Sequence, residues 1–143
     1  MAAYIPQPLR DRVRRRARQQ CEYCHSIEWL TGQRFEFDHI LPLQSGGATS
    51  AENLCLACAS CNSHKQARVE GLDPESGENF PLFNPRRQRW SEHFVWNEDA
   101  SYILGITPNG RATVGALQMN HPTVVMARLF WISTGQHPPQ DDR

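Results

Sequence analysis

Four cysteines in two pairs of equal spacing, Cys21-x-x-Cys24 and Cys58-x-x-Cys61, are the residues most plainly arranged for chemistry. A two-residue gap lets both thiolates of a knuckle reach one tetrahedral ion at about 2.3 Å, so two such pairs predict a structural zinc site. Four thiolates fill the coordination shell, and such a zinc has no open position for catalysis. The fifth cysteine, Cys55, falls outside the pattern, and its strand position predicts a small buried apolar side chain. Any reaction must therefore be carried by other residues. Between and just after the pairs stand Asp38-His39, Asn53 and Asn62-Ser63-His64-Lys65. His39 is suited to act as a base because an imidazole titrates near neutral pH. Asp38 offers a hard oxygen of the type that magnesium or manganese prefers. Plainer roles stay open: a strand-end ion pair for Asp38 and His39, a turn for Asn53, a helix cap for Asn62.

These residues need elements to position them. Leu9, Val13 and Ala17 recur every fourth residue after Pro8, so Leu9 to Gln20 predicts an amphipathic helix. Its other faces carry Arg10, Arg12, Arg14, Arg15, Arg16 and Arg18, opposed only by Asp11. That run is either a solvated face or a phosphate grip, and guanidinium groups without lysine favour phosphate. Arg34 to Ile40 alternates as a short strand, ended by Pro42 and Ser45-Gly46-Gly47. Adjacent strand residues point to opposite faces, so Asp38 and His39 can serve one site only if the strand ends there. Asn53 to Leu56 reads as the returning strand, and Cys58 to Arg68 as a knuckle running into a helix.

Gly71 to Asn84 is rich in Gly, Pro, Asp, Glu and Ser and predicts a connecting loop. Beyond it, His93–Trp96 and Tyr102–Thr107 predict strands, with Pro108-Asn109-Gly110 turning into a third at Arg111–Val114. Pro122 opens a last helix through Trp131, stopping at Gly135. Trp90, Phe94, Trp96 and Trp131 are expected to pack the core of this part rather than to stack on bases. His25, His93, His121 and His137 show no ligand spacing.

The bulk numbers set the frame. At 143 residues and 39% hydrophobic, one domain with a modest core is expected, of the kind that leans on a metal staple. The expected division is 1–70 for the arginine helix and stapled core, 71–84 for the loop, and 85–143 for a C-terminal extension packed on that core. Net charge is zero, yet Arg86, Arg87 and Arg89 form a second basic cluster, while acidic residues collect at Asp73–Glu78, Glu98-Asp99 and Asp141-Asp142. A neutral protein can still present a basic face to phosphates. The apolar stretch Val124–Ile132 is interrupted by Arg128 and too short to span a bilayer, and Met1 to Pro6 lacks a secretory core. A cytoplasmic, reducing setting is expected, where cysteines bind metal rather than pair.

The run Phe35-Glu36-Phe37-Asp38-His39-Ile40-Leu41-Pro42, the Gly46-Gly47 loop, Asn53-Leu54 and Cys58-x-x-Cys61-Asn62-x-x-Lys65 together resemble the HNH (His-Asn-His) endonuclease family. The resemblance is to its four-cysteine zinc branch and covers residues 21 to 68; residues 80 to 143 look like the extension of small stand-alone bacterial members. It implies an α+β fold with a ββα-metal core, a structural zinc on four cysteines, an N-terminal arginine-rich helix and a small α/β extension. It also implies metal-dependent hydrolysis of DNA phosphodiester bonds, which needs a base for the attacking water and a cation near the leaving oxygen. By resemblance Asp38 and Asn62 would bind that cation, magnesium or manganese, while His39 acts as base and Asn53 orients it and pins the loop. The third histidine of the motif falls at Asn62, which leaves a sparse shell completed by water and phosphate. His64 and Lys65 are expected to neighbour phosphate, with the arginine helix holding the backbone. A monomer would nick and a homodimer could cut both strands. A non-catalytic zinc-stabilised DNA-binding module and an RNA-cleaving effector are the alternatives.

Overall fold

A computed structural model describes residues 4–140; the Asp141-Asp142 acidic tail and the first three residues lie outside the described residues. The chain opens with α1 (Gln7–Ala17), which has Pro8 in its first turn and ends at Arg18 in the left-handed conformation, φ 54°. Val13 and Ala17 are fully buried and seat the helix on strand β2 (Leu54–Ala57). Strand β1 (Glu36–His39) pairs antiparallel with β2, with Asp38 opposite Cys55 and His39 opposite Leu54. Helix α3 (Ala59–Lys65) follows at once and packs on β1, completing the strand–strand–helix unit. A single turn, α2 (Glu28–Thr31), lies between the first cysteine pair and β1. Every residue of β2 is buried, because α1 covers one side of the hairpin and the cysteine knuckles the other.

The structure corrects two expectations for the second half. Residues 71–84 are not a plain loop: β3 (Glu70–Leu72) and β4 (Asn79–Pro81) form a hairpin around a turn at Asp73–Glu78. The strands are too short to show alternation, and the Asp-Pro and Ser-Gly pairs belong to the turn alone. Nor is Arg111–Val114 a strand. It lies in α5 (Pro108–Ala116), whose start is capped by the Thr107 hydroxyl accepting from the Gly110 amide at 3.0 Å. Thr-Pro is a cap followed by a first-turn proline, the opening of a helix, and the Asn-Gly that suggested a turn sits inside that first turn. Gly110 is needed there, since a Cβ would come within 2.1 Å of the His93 carbonyl oxygen. The remaining elements are α4 (Trp90–His93), the antiparallel pair β5 (Phe94–Trp96) and β6 (Ile103–Gly105), and α6 (Pro122–Ile132).

One continuous apolar cluster runs from Ile5 and Val13 through Leu54 and Leu56 to Phe83, Phe94, Ile103 and Met119. Trp90 joins the halves: its indole N–H donates to the Tyr23 carbonyl at 2.8 Å, and its ring stacks on His25 at 4.2 Å. Trp90 and Phe94 are buried, as expected of core aromatics, while Trp96 and Trp131 are half-buried against His137. No helix is long and apolar enough to cross a membrane among the described residues.

Asp73 locks the hairpin turn to α5. Its carboxylate accepts from Arg111 at 2.8 and 3.2 Å, from the Ser76 hydroxyl and from the Glu75 amide. The Arg111 guanidinium holds its carboxyl well below the usual range. A depressed folded-state value contributes stability that is present above about pH 4 and lost as pH falls below it. Asp73→Asn is therefore expected to lower the thermal midpoint at neutral pH and to flatten its fall between about pH 4 and 2, in melts across that range.

Candidate active site and metal centre

The two knuckles converge. The four sulfurs of Cys21, Cys24, Cys58 and Cys61 lie within 4.8 Å of one another, and Cys24 and Cys58 are 3.8 Å apart. Zinc–sulfur bonds of about 2.3 Å place tetrahedral sulfurs about 3.8 Å apart, so the spacing fits that ion. Local geometry prepares the sulfurs as ligands. The Cys24 amide points at the Cys21 sulfur at 3.5 Å and the Cys61 amide at the Cys58 sulfur at 3.4 Å, the second also capping α3. His25, at φ 61°, turns the first knuckle back so that its amide reaches the Cys21 carbonyl. Among the closely packed sulfurs, hydrogen bonding from Cys21 and the other thiols holds the Cys24 thiol down, while burial pushes Cys21 up and hydrogen bonding from Cys21 pushes Cys61 up. Cys55 is fully buried outside the cluster, and burial pushes its thiol far up, which fits the apolar role expected of it.

Asp38, His39 and Asn62 line a single cleft of about 360 Å³, bounded by Pro42, Leu43 and Gln66. β1 ends at His39, and with the chain turning at Pro42 both neighbours reach the same opening. His39 is half-buried, its Nε2 lying 2.9 Å from the Thr49 hydroxyl. If Thr49 accepts from Nε2–H, the free electron pair of the ring is on Nδ1, which has no hydrogen-bond partner among the described residues. Burial lowers the basicity of His39, partly offset by Asp38, which favours the neutral imidazole.

The loop that carries Thr49 is fixed by Asn53. Its side-chain oxygen accepts from the Leu41 amide at 2.8 Å, and its amide donates to the carbonyls of Leu41 and Ala48 at 2.9 and 2.8 Å. Asn53 thus acts as a substitute strand residue joining both ends of the 41–53 loop. Gly47 must be glycine for this closure: a Cβ there would lie 1.7 Å from the Leu41 oxygen and 2.8 Å from the Asn53 amide nitrogen.

Asp38 is 4% exposed and sits in a polar nest. The Tyr23 hydroxyl donates to it at 2.7 Å, and the Lys65 ammonium approaches at 3.2 Å. Burial pushes the Asp38 carboxyl up, and Lys65 pulls it back down. Lys65 is therefore corrected from a phosphate neighbour to a buried counter-charge: it is 1% exposed and also donates to the His39 carbonyl at 3.1 Å. Removing one member of such a buried pair costs about 3–5 kcal/mol elsewhere.

Asn62 reaches the cleft from α3, where its amide donates to Glu36 at 2.5 Å. Glu36, two residues before Asp38 on the same strand face, was missed in the sequence, as were Thr49 and Tyr23; only Glu36 carried a signal, its period-two offset from Asp38. No second group of three or more His, Cys, Asp or Glu ligands gathers among the described residues. A divalent cation held by Asp38 and Asn62 would have two hard oxygen ligands, a number suited to magnesium, which keeps several waters. His64 pairs its Nδ1 with the Ser60 carbonyl of its own helix at 2.7 Å and does not line the cleft.

The arginine helix divides. Arg14 bonds Glu28 at 2.7 Å and the Phe35 carbonyl at 3.0 Å, and Arg16 bonds the carbonyls of Ala51 and Leu54 at 2.8 and 2.7 Å. Arg10 bonds the Ile5 carbonyl and lies over Phe37. These three fasten the helix to the hairpin and loop, contrary to the phosphate role expected of them. Arg12, Arg15 and Arg18 are exposed.

Residues 21–68, which hold both cysteine pairs and the whole of this cleft, match the family model described as HNH endonuclease. That segment is an HNH domain of α+β class with a four-cysteine cluster of the structural-zinc type. No curated protein is matched by the chain.

Proposed function

We propose that the protein is a metal-dependent endonuclease that hydrolyses DNA phosphodiester bonds at the Asp38–His39–Asn62 cleft. The observation that carries this reading is the convergence in one opening of a hydroxyl-anchored imidazole with an acid and an amide. His39 takes the proton of the attacking water at Nδ1, with Thr49 fixing the ring. Asn53 holds the loop that brings Thr49 into place. Asp38 and Asn62 would hold a magnesium or manganese ion, which when bound supplies charge at the scissile phosphate and leaving oxygen. Lys65 already balances the Asp38 charge, and Glu36 beside Asn62 adds a further negative charge near the proposed cation. Arg12 and Arg15, exposed on the outer face of α1, are the helix residues that would meet the DNA backbone. The cysteine chemistry suits a reducing, cytoplasmic setting.

One such site cuts one strand, so a monomer nicks and a homodimer makes a double-strand break. Supercoiled plasmid is expected to convert to the nicked circle only when magnesium or manganese is added. If wild-type protein with its zinc intact leaves plasmid uncut across both metals, the reading is wrong. Cutting of RNA instead would move the substrate, and binding without cutting would leave a zinc-stabilised DNA-binding module.

A further inference from the structure

The second basic cluster seen in the sequence, Arg86, Arg87 and Arg89, takes no part in the cleft described above. It borders two further clefts of about 400 and 380 Å³ that share Phe83 and Gln88. The first adjoins the candidate active site, because the same two segments line both. His39 and Pro42 face the site while Ile40 and Leu41 face the neighbour, and Gln66 and Ala67 face the site while Lys65 and Arg68 face the neighbour. The two segments 39–42 and 65–68 thus lie between the active-site cleft and a cleft with Arg68 and Arg87, which in turn shares Phe83 and Gln88 with the one that holds Arg89.

Its charge is one-sided in a protein whose net charge is zero. The nearer cleft has Arg68 and Arg87 and no acidic residue. The farther one sets four arginines against Glu22, whose carboxylate is engaged by Arg86 and by the Leu56 amide. Arg68, Arg87 and Arg89 are exposed and make no ion pair among the described residues. A solvated charge run from one helix would not need explaining. Here arginines from just past α3 and from the 84–89 turn, distant in sequence, line one concave surface beside the segments that carry the reactive residues.

We infer that these two clefts form a backbone-binding track for double-stranded DNA, with Arg68, Arg87 and Arg89 as its phosphate contacts, so that the segment after the HNH domain positions substrate. This rests on the nuclease reading for the direction of the path. It gives the 84–89 turn a role, and it explains why Trp90, the next residue, is anchored to the Tyr23 carbonyl: the turn is held at a fixed distance from the cleft.

The test is anisotropy of a labelled 30-base-pair duplex with wild type and with Arg87→Ala/Arg89→Ala, titrated from about 50 to 200 mM salt, alongside plasmid nicking. Both side chains are exposed, so zinc content and thermal midpoint should match wild type. The double variant is expected to bind about tenfold more weakly at 150 mM salt, with the slope of log affinity against log salt reduced by about 2. Affinity and slope equal to wild type overturn the track, and they do so without touching the nuclease reading if both proteins nick. A reduced slope with no nicking by either protein supports the track and sinks the nuclease reading. Absence of duplex binding by wild type, or a defect confined to RNA, also overturns the track.

Discussion

His39→Ala is expected to slow magnesium-dependent plasmid nicking by about a hundred- to ten-thousandfold, the usual worth of a positioned general base. The effect should fall on turnover, since the imidazole is half-buried and removes little surface that a duplex could grip. The variant should keep its zinc and its thermal midpoint. His39 makes one side-chain hydrogen bond, to Thr49, and the loop is closed independently by Asn53. Rates on supercoiled plasmid at saturating protein, with zinc measured on the same sample, check both halves. Wild-type rates from a correctly folded variant would falsify the assignment of His39. Asp38 makes a poorer first test, because its loss strands the buried Lys65 ammonium and mixes folding with chemistry.

The largest stability effect is expected from the cysteine cluster. Structural zinc is worth about 10–16 kcal/mol in small zinc-binding peptides, which equals or exceeds the whole net stability of an ordinary domain, about 5–15 kcal/mol. Cys58→Ser should therefore abolish the cooperative melt or lower it by tens of degrees, and chelation of wild-type zinc should do the same reversibly. Cys58 is the informative choice because it is both ligand and cap of α3, the helix that supplies Asn62 and Lys65. The loss should spread beyond the HNH segment, since Trp90 is bonded inside the first knuckle. Circular dichroism melts with zinc stoichiometry would show this. A chelated protein that melts at the wild-type temperature would mean the cluster holds no stabilising metal.

What could be read beforehand was what depends on spacing. The cysteine pairs, the Asp38-His39 strand end and the Asn62 position are local patterns; the fold gathers the four sulfurs and sets Asp38, His39 and Asn62 along one cleft. Lys65 and three arginines of α1, Arg10, Arg14 and Arg16, depart from expectation for a common reason. A long cationic side chain is expected at the surface, and only tertiary packing shows that Lys65 turns inward to Asp38 or that Arg16 spans to the carbonyls of the loop and β2. Thr49 was invisible because its partner is ten residues away across a loop whose shape depends on Asn53 and Gly47. In the second half, three-residue strands gave no period to detect, and Pro108-Asn109-Gly110 fits a turn or a helix start until Thr107 is seen capping it.

Arg128 lies wholly inside the protein on α6, bonded to the carbonyls of Ser101 and Met119 and to Asn120. It shares the lining of a small cavity with Cys24, Cys58 and Cys61. Four thiolates around a divalent zinc would leave a centre with two surplus negative charges, three of its four cysteines being buried. The last helix thus places a cation beside the first knuckles, where it would act as an internal counter-ion to a metal held by the four sulfurs.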